Sequence, residues 1–198
     1  MVPLNLDRIQ DWITAGRLNP AEPITLKELT ASRAVHSVKD GVKLLASGAT
    51  KLNTAVNIVV SRASQSAIAA VEALGGTVTT RFYTPLAIRR IRMGQMHPYL
   101  SLKWDPAAMG NPALAVPGAD SLEERVKGMG YEYRLPDPAG RKDLEYYRDA
   151  KNRGYLSYTV KEGEGPSLYF KPPKESLAKA KSGQKSRKAK QKEENSLW

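Results

Sequence analysis

Apolar positions in the first eighty residues recur at two periods, and turn residues mark where one gives way to the other. Between Asn5 and Gly16, Leu6, Ile9 and Ile13 fall on one face at helical spacing. Asn5 stands where a cap is wanted, and Gly16 where a left-handed stop would end the helix. A second helix starts at Thr25. Thr25 and Glu28 have the spacing at which side chains and backbone amides at a helix start satisfy each other reciprocally, and Leu26 and Leu29 supply a small apolar face. After the turn dipeptide Asp40-Gly41, Val42, Leu44 and Ala46 alternate as in a half-buried strand that Ser47-Gly48 terminates. Residues 55–60 alternate likewise. Ser64 then caps a helix lined by Ala67, Ile68, Val71 and Leu74 and closed by Gly75-Gly76, and residues 77–83 form a third strand rich in β-branched side chains. The order is helix, helix, strand, strand, helix, strand, which makes a small α/β domain over residues 1–83.

Beyond Thr84-Pro85 the periodicity fades, and Pro98, Pro106, Pro112, Pro117, Pro136 and Pro138 break the chain into short pieces. Residues 84–170 therefore read as a long extension, extended and partly helical. Its helical fragments are expected at 121–127, with Asp120 or Ser121 as cap, and at 141–151, and its short strands at 155–160 and 168–170. Residues 171–198 form a basic tail with too little apolar content to fold alone in water. No internal repeat is evident.

Charge changes this picture more than composition does. The 198 residues include 31 Lys and Arg against 20 Asp and Glu, a net charge of +11, which points to a polyanionic partner, nucleic acid before membrane. No apolar run approaches the roughly 18 residues that suggest a membrane span. With no cysteine, thiol nucleophiles, disulfides and cysteine-based zinc sites are excluded. The opening carries Asp7 and Asp11 on its first helix, unlike an Arg-rich, acid-poor targeting segment.

Residues 63–76 resemble the signature of the bacterial-type large-subunit ribosomal protein fifteen family. In that signature a Ser or Thr is followed by Ala three residues on, an aliphatic four further and Gly four beyond that; Ser64, Ala67, Val71 and Gly75 occupy these positions. Residues 39–48 are similar to the family's Lys-aliphatic-Gly segment ahead of its paired strands. Residues 4–10, 16–18 and 23–29 look like the opening of its globular half. The resemblance implies a small irregular superhelix of paired strands and helices docked on RNA. It also implies a structural, non-enzymatic role in the large ribosomal subunit, with large-subunit ribosomal RNA and neighbouring ribosomal proteins as partners and neither cofactor nor small-molecule substrate. A free-standing RNA-binding assembly or processing factor sharing the domain is the alternative. Family members carry a Gly- and Lys/Arg-rich arm before this domain, and none is present here. The chain also continues for more than a hundred residues past the third strand, which looks like a mitochondrial, fungal-type form.

Candidate RNA contacts are Arg81, Arg89, Arg90, Arg92 and Lys103, a stretch without acids, together with Lys181, Lys185, Arg187, Lys188 and Lys190 of the tail. The three central arginines are expected on an extended segment, where a guanidinium can engage two phosphate oxygens. Tyr83, Tyr99 and Trp104 could stack on bases or fill a satellite core. Tyr146, Tyr147, Tyr155 and Tyr158 are candidate anchors for neighbouring proteins, or the core of a small subdomain.

Enzymatic motifs are missing. His36 and His97 belong to no zinc or triad pattern and read as solvent-facing or capping residues. Asp137, Asp143 and Glu145 read as exposed carboxylates, and the Gly163–Pro166 stretch as a turn.

Overall fold

The computed structural model describes residues 1–105, 107, 114, 121–161 and 163–169. Its first element is one the hydrophobic pattern missed: strand β1 (Val2–Asn5), which runs parallel to β2 (Val42–Leu45) in the register Val2↔Val42 to Asn5↔Leu45. Helix α1 (Leu6–Thr14) follows directly. Asn5 occupies the cap position with extended backbone, but its side chain does not cap. The free amides of Leu6 and Asp7 donate instead to the carbonyl of Ser47, at 3.1 and 3.3 Å, so the loop after β2 replaces the cap. Gly16 provides the left-handed stop at φ +67°. Helix α2 (Leu26–Ala31) has both halves of the Thr25/Glu28 capping arrangement.

Strands β3 (Asn57–Val60) and β4 (Arg62–Ala63) lead into α3 (Gln65–Ala73), where the Ser64 hydroxyl accepts the Ala67 amide. β4 extends the first sheet to the order β1-β2-β4. β5 (Thr77–Thr80) pairs with β3, in parallel, from Asn57↔Thr77 to Val60↔Thr80.

The expectation of fading periodicity after Thr84-Pro85 fails at once. Residues Pro85–Arg92 form helix α4: Thr84 caps it by accepting the Ala87 amide at 3.2 Å, and Pro85 takes the first turn, where its missing N–H costs nothing. Ala87, Ile88 and Ile91 are the buried stripe. A repeat also emerges. The pairing offset between β3 and β5 is 20 residues. At that same offset Ser64, Ala67, Ile68 and Val71 of α3 correspond to Thr84, Ala87, Ile88 and Ile91 of α4, with the same caps and the same burial. Each helix ends at a left-handed glycine, Gly75 at φ +78° and Gly94 at φ +73°. The two turns of this superhelix are strand, connector and helix, repeated.

In the extension, α5 (Leu122–Gly128) is capped by Ser121, and α6 (Arg141–Arg148) is shorter than expected, followed by a 3₁₀ turn at Ala150–Asn152. The strand expected at 155–160 is absent. Gly154 instead makes a single parallel bridge to Thr80, with Thr80 N–H donating to Arg153 O at 2.8 Å and Tyr155 N–H to Thr80 O at 3.1 Å, after which Ser157–Thr159 turns as 3₁₀. Leu168 and Tyr169 form a bend, not a strand, and Phe170 lies outside the described residues. The main core is built on residues 1–83 but takes in Ala87, Ile88, Ile91, Met96 and Leu135. A second, aromatic core forms where Val59 meets Leu100, Trp104, Tyr147, Tyr155 and Leu156.

Candidate nucleic-acid interface

The candidate residues divide sharply by burial. Arg81 follows β5 at the position corresponding to Ser61 one repeat earlier, and both are buried. The Arg81 side chain is 0% exposed. Its Nε donates to Tyr99 O at 3.1 Å, its Nη2 to Pro136 O at 3.2 Å and lies 3.6 Å from Asp137 Oδ1, and its Cζ sits 4.0 Å from the Tyr155 ring centroid. Expected as an RNA contact, Arg81 is a fastener inside the protein. Asp137, expected exposed, is its counter-ion and also accepts hydrogen bonds from Ser101 Oγ at 2.7 Å and Tyr155 OH at 2.6 Å.

The aromatic residues follow the same division. Tyr147 and Tyr155, candidate protein anchors, are 2% and 0% exposed and fill the second core. Tyr147 donates to Ser61 O across 86 residues of sequence. Burial pushes both phenols well above the ordinary tyrosine range, for Tyr155 with Asp137 adding to the effect. Tyr83 and Trp104 are likewise inside, Tyr83 donating to Pro98 O. Tyr146 is half-buried with the Arg62 guanidinium 4.5 Å from its ring, and Tyr158 is exposed, its hydroxyl donating to Lys103 O. Of the two histidines, His36 is exposed. His97 is buried and its Nδ1 accepts the amides of Tyr99 and Leu100, so it caps the chain and does not face solvent. Burial holds it down at about 4.

What remains at the surface is the outer side of α4. Arg89 and Arg92 are exposed, one helical turn apart, and the half-buried Arg90 lays its guanidinium 4.2 Å from the Tyr133 ring. These arginines are helical, not extended as expected, because the Ala87/Ile88/Ile91 stripe fixes the segment on the core. Placed in the last turn, they also complement the partial negative charge of the helix end. Among the described residues, Arg89 and Arg92 have no carboxylate within ion-pair distance. Leu86 on the same helix and Met93 at its C-terminal cap are exposed. Beside it lies a largely apolar cleft of about 620 Å³ between α4, α5 and residues 132–136. Lys103 is exposed with its backbone pinned, its N–H donating to Asp137 and its carbonyl accepting from Tyr158. Lys181, Lys185, Arg187, Lys188 and Lys190 lie outside the described residues.

One basic cluster escaped the sequence reading: Arg8 and Arg17 both stack on Trp12, at 4.6 and 5.6 Å from the ring. The four-residue spacing of Arg8 and Trp12 on a predicted helix was its only visible signal. Among the described residues, no helix is long and apolar enough to cross a membrane, and no group of three or more His, Asp or Glu could hold a metal ion.

The model of a family described as ribosomal proteins 50S-L15 and 50S-L18e together with their 60S counterpart matches residues 3–79. A Neurospora crassa protein named large ribosomal subunit protein uL15m is 46% identical over 177 residues, 87% of this chain and 53% of its own. The protein of that name from Schizosaccharomyces pombe is 33% identical over 154 residues, 78% of this chain and 48% of its own. Large ribosomal subunit protein uL15 of Methylobacterium nodulans is 45% identical over 76 residues, 38% of this chain and 46% of its own. The chain thus spans about half the length of the relatives it matches.

Proposed function

The chain belongs to the family of ribosomal proteins 50S-L15 and 50S-L18e and their 60S counterpart, and from that premise we propose that it is a structural constituent of the large subunit of the mitochondrial ribosome, binding and stabilising ribosomal RNA and catalysing no reaction. The observation that carries this reading is the 46% identity to the Neurospora uL15m protein through 87% of the chain, which takes in residues far beyond the 76 shared with the bacterial relative. On this reading residues 1–83 supply the family domain, residues 84–170 the extension that carries contacts, and residues 171–198 a basic anchor. Arg89, Arg90 and Arg92 meet RNA phosphates from α4, Lys103 and the basic tail residues add charge, and of the four candidate tyrosines the half-buried Tyr146 and the exposed Tyr158 are left for neighbouring proteins.

Two exposed arginines without acidic partners on a helix fixed by its buried face suit phosphate contact, since a rigid support positions a guanidinium without further ordering. Sedimentation of the tagged full chain through a mitochondrial gradient at moderate salt tests the reading. Co-migration with large-subunit particles at about one copy each is expected; migration as free protein would point instead to an assembly or processing factor. The double variant Arg89→Gln/Arg92→Gln forgoes only a helix-end contribution of about 0.3–1 kcal/mol per residue, so it should melt within a few degrees of the parent and lose particle occupancy. Normal occupancy would remove α4 from the contact surface.

A further inference from the structure

We propose a second phosphate-binding face at the end of α1, made by Arg8 and Arg17 on Trp12 and by the exposed Arg33 whose backbone Arg8 contacts, which takes the sugar–phosphate backbone of RNA. It rests on the RNA-binding reading above but uses residues that reading leaves idle.

The fold brings Arg8 and Arg17 to one ring and seats the backbone of Arg33 beside Arg8. Arg8 precedes Trp12 by one helical turn, and its Cζ lies 4.6 Å from the indole centroid. The left-handed Gly16 reverses the chain so that the amides of Arg17 and Leu18 both donate to Trp12 O, at 2.8 and 3.2 Å, and Arg17 returns to the same ring at 5.6 Å. Trp12 Nε1 donates to Ser32 O at 2.9 Å, which ties the indole to the end of α2. Arg8 Nη2 reaches the carbonyl of Arg33. Arg17 and Arg33 are exposed, and Arg8 and Trp12 half-buried.

Two features are unexplained by the fold alone. Among the described residues none of the three arginines has a carboxylate within ion-pair distance, so two guanidiniums share one ring without a counter-charge. Arg33 also holds a left-handed backbone at φ +59°, where glycine would sit with less strain. Arg153 has the same unfavourable backbone, at φ +51°, but its side chain forms a two-point pair with Glu72 that accounts for an arginine there. Among the described residues, Arg33 has no such partner. A guanidinium resting on an indole keeps its in-plane donors for a phosphate while its rotamer freedom is already restricted. RNA is favoured over an acidic protein because the clustered charges are planar arginines beside an aromatic ring, in a chain of net charge +11.

The test is anisotropy of the full chain with a labelled 20-base-pair RNA duplex between 50 and 200 mM KCl. Each lost phosphate contact lowers the slope of log affinity against log salt by about 0.9, so R8Q/R17Q/R33Q should flatten it by about 2.7, roughly a 40-fold smaller loss of affinity across that range. The single variant R33G should flatten it by about 0.9 while melting no lower than the parent, which a purely structural arginine would not do. A triple variant with the parental slope overturns the proposal. So does a variant that keeps duplex binding but loses retention on poly-L-glutamate, which would reassign the face to an acidic protein. Failure of the parent chain to bind the duplex at all would overturn the RNA reading and this face with it.

Discussion

Asp137→Ala should be among the most damaging single substitutions in this chain, although nothing in the sequence marks the residue. It strips the counter-charge from a guanidinium whose side chain is 0% exposed, while Asp137 itself is only 13% exposed. At the observed 3.6 Å and an effective dielectric of about 20, the lost attraction is on the order of 4–5 kcal/mol. The hydroxyls of Ser101 and Tyr155 lose their acceptor at the same time. Against this stands the smaller cost of burying one charge fewer, so the net loss should be about 3–5 kcal/mol, the range for breaking a buried pair from one side. Arg81 would remain buried with Nη1 already lacking a partner. Arg81→Met/Asp137→Ala removes both charges and should cost at least about 2 kcal/mol less than the two single changes added together. Urea unfolding followed by tryptophan fluorescence gives these energies. Hydrogen exchange at the Thr80 and Tyr155 amides, which join β5 to the extension, shows where the loss falls. An Asp137→Ala cost below about 1 kcal/mol, or strict additivity of the pair, would refute the account of Arg81 as a charge-compensated fastener.

His97, held near 4 against an ordinary 6.5, makes stability depend on acid: because the folded state resists protonation, its contribution is complete above about pH 6.5 and drains away as pH falls toward 4, by about 3 kcal/mol at most. The fall in urea midpoint between pH 7 and 4.5 should shrink in His97→Gln; an unchanged fall would clear His97 of the effect. Gly154→Ala places a methyl group against the backbone carbonyl of Tyr147, so it should detach residues 150–156 and cost more than about 2 kcal/mol in thermal melts, with a silent result disproving the close approach. Ser64→Ala and Thr84→Ala remove matching caps from successive repeats and should each cost about 1 kcal/mol. A Thr84 variant melting like the parent would show that α4 does not depend on its cap.

The helices legible in the sequence are those whose signals are local. α2, α3 and α5 each carry a hydroxyl cap, and α3 adds a four-residue apolar stripe and a terminal glycine. α4 carries a comparable cap and stripe, but Thr84-Pro85 reads equally well as a chain break. The 20-residue repeat hides because only its capping and buried positions recur: Ser64, Ala67, Ile68 and Val71 return as Thr84, Ala87, Ile88 and Ile91, while the outer faces share nothing. β1 has four residues, one of them Pro3, and is defined by its partner β2 more than by its own pattern. The site reading failed where burial is decided from afar. Whether Arg81 faces RNA or the interior depends on Asp137 and Tyr155, more than fifty residues downstream, and no local pattern around Arg81 anticipates them.

The single bridge between Thr80 and Gly154 has a bearing on how the chain is made. The β3–β5 pairing closes over 20 residues, whereas the bonds that cover the other side of β5 reach residues such as Asn152, 72 positions away from Thr80. Loop closure over such a span is entropically later, and during synthesis from the N-terminus those residues do not yet exist. The superhelix can therefore wind while β5 still presents an unpaired edge, and that edge stays open until residues near 154 emerge and dock. An unpaired edge is a template for unwanted strand addition. The interval before the extension folds back is the stage at which this protein is most exposed to aggregation.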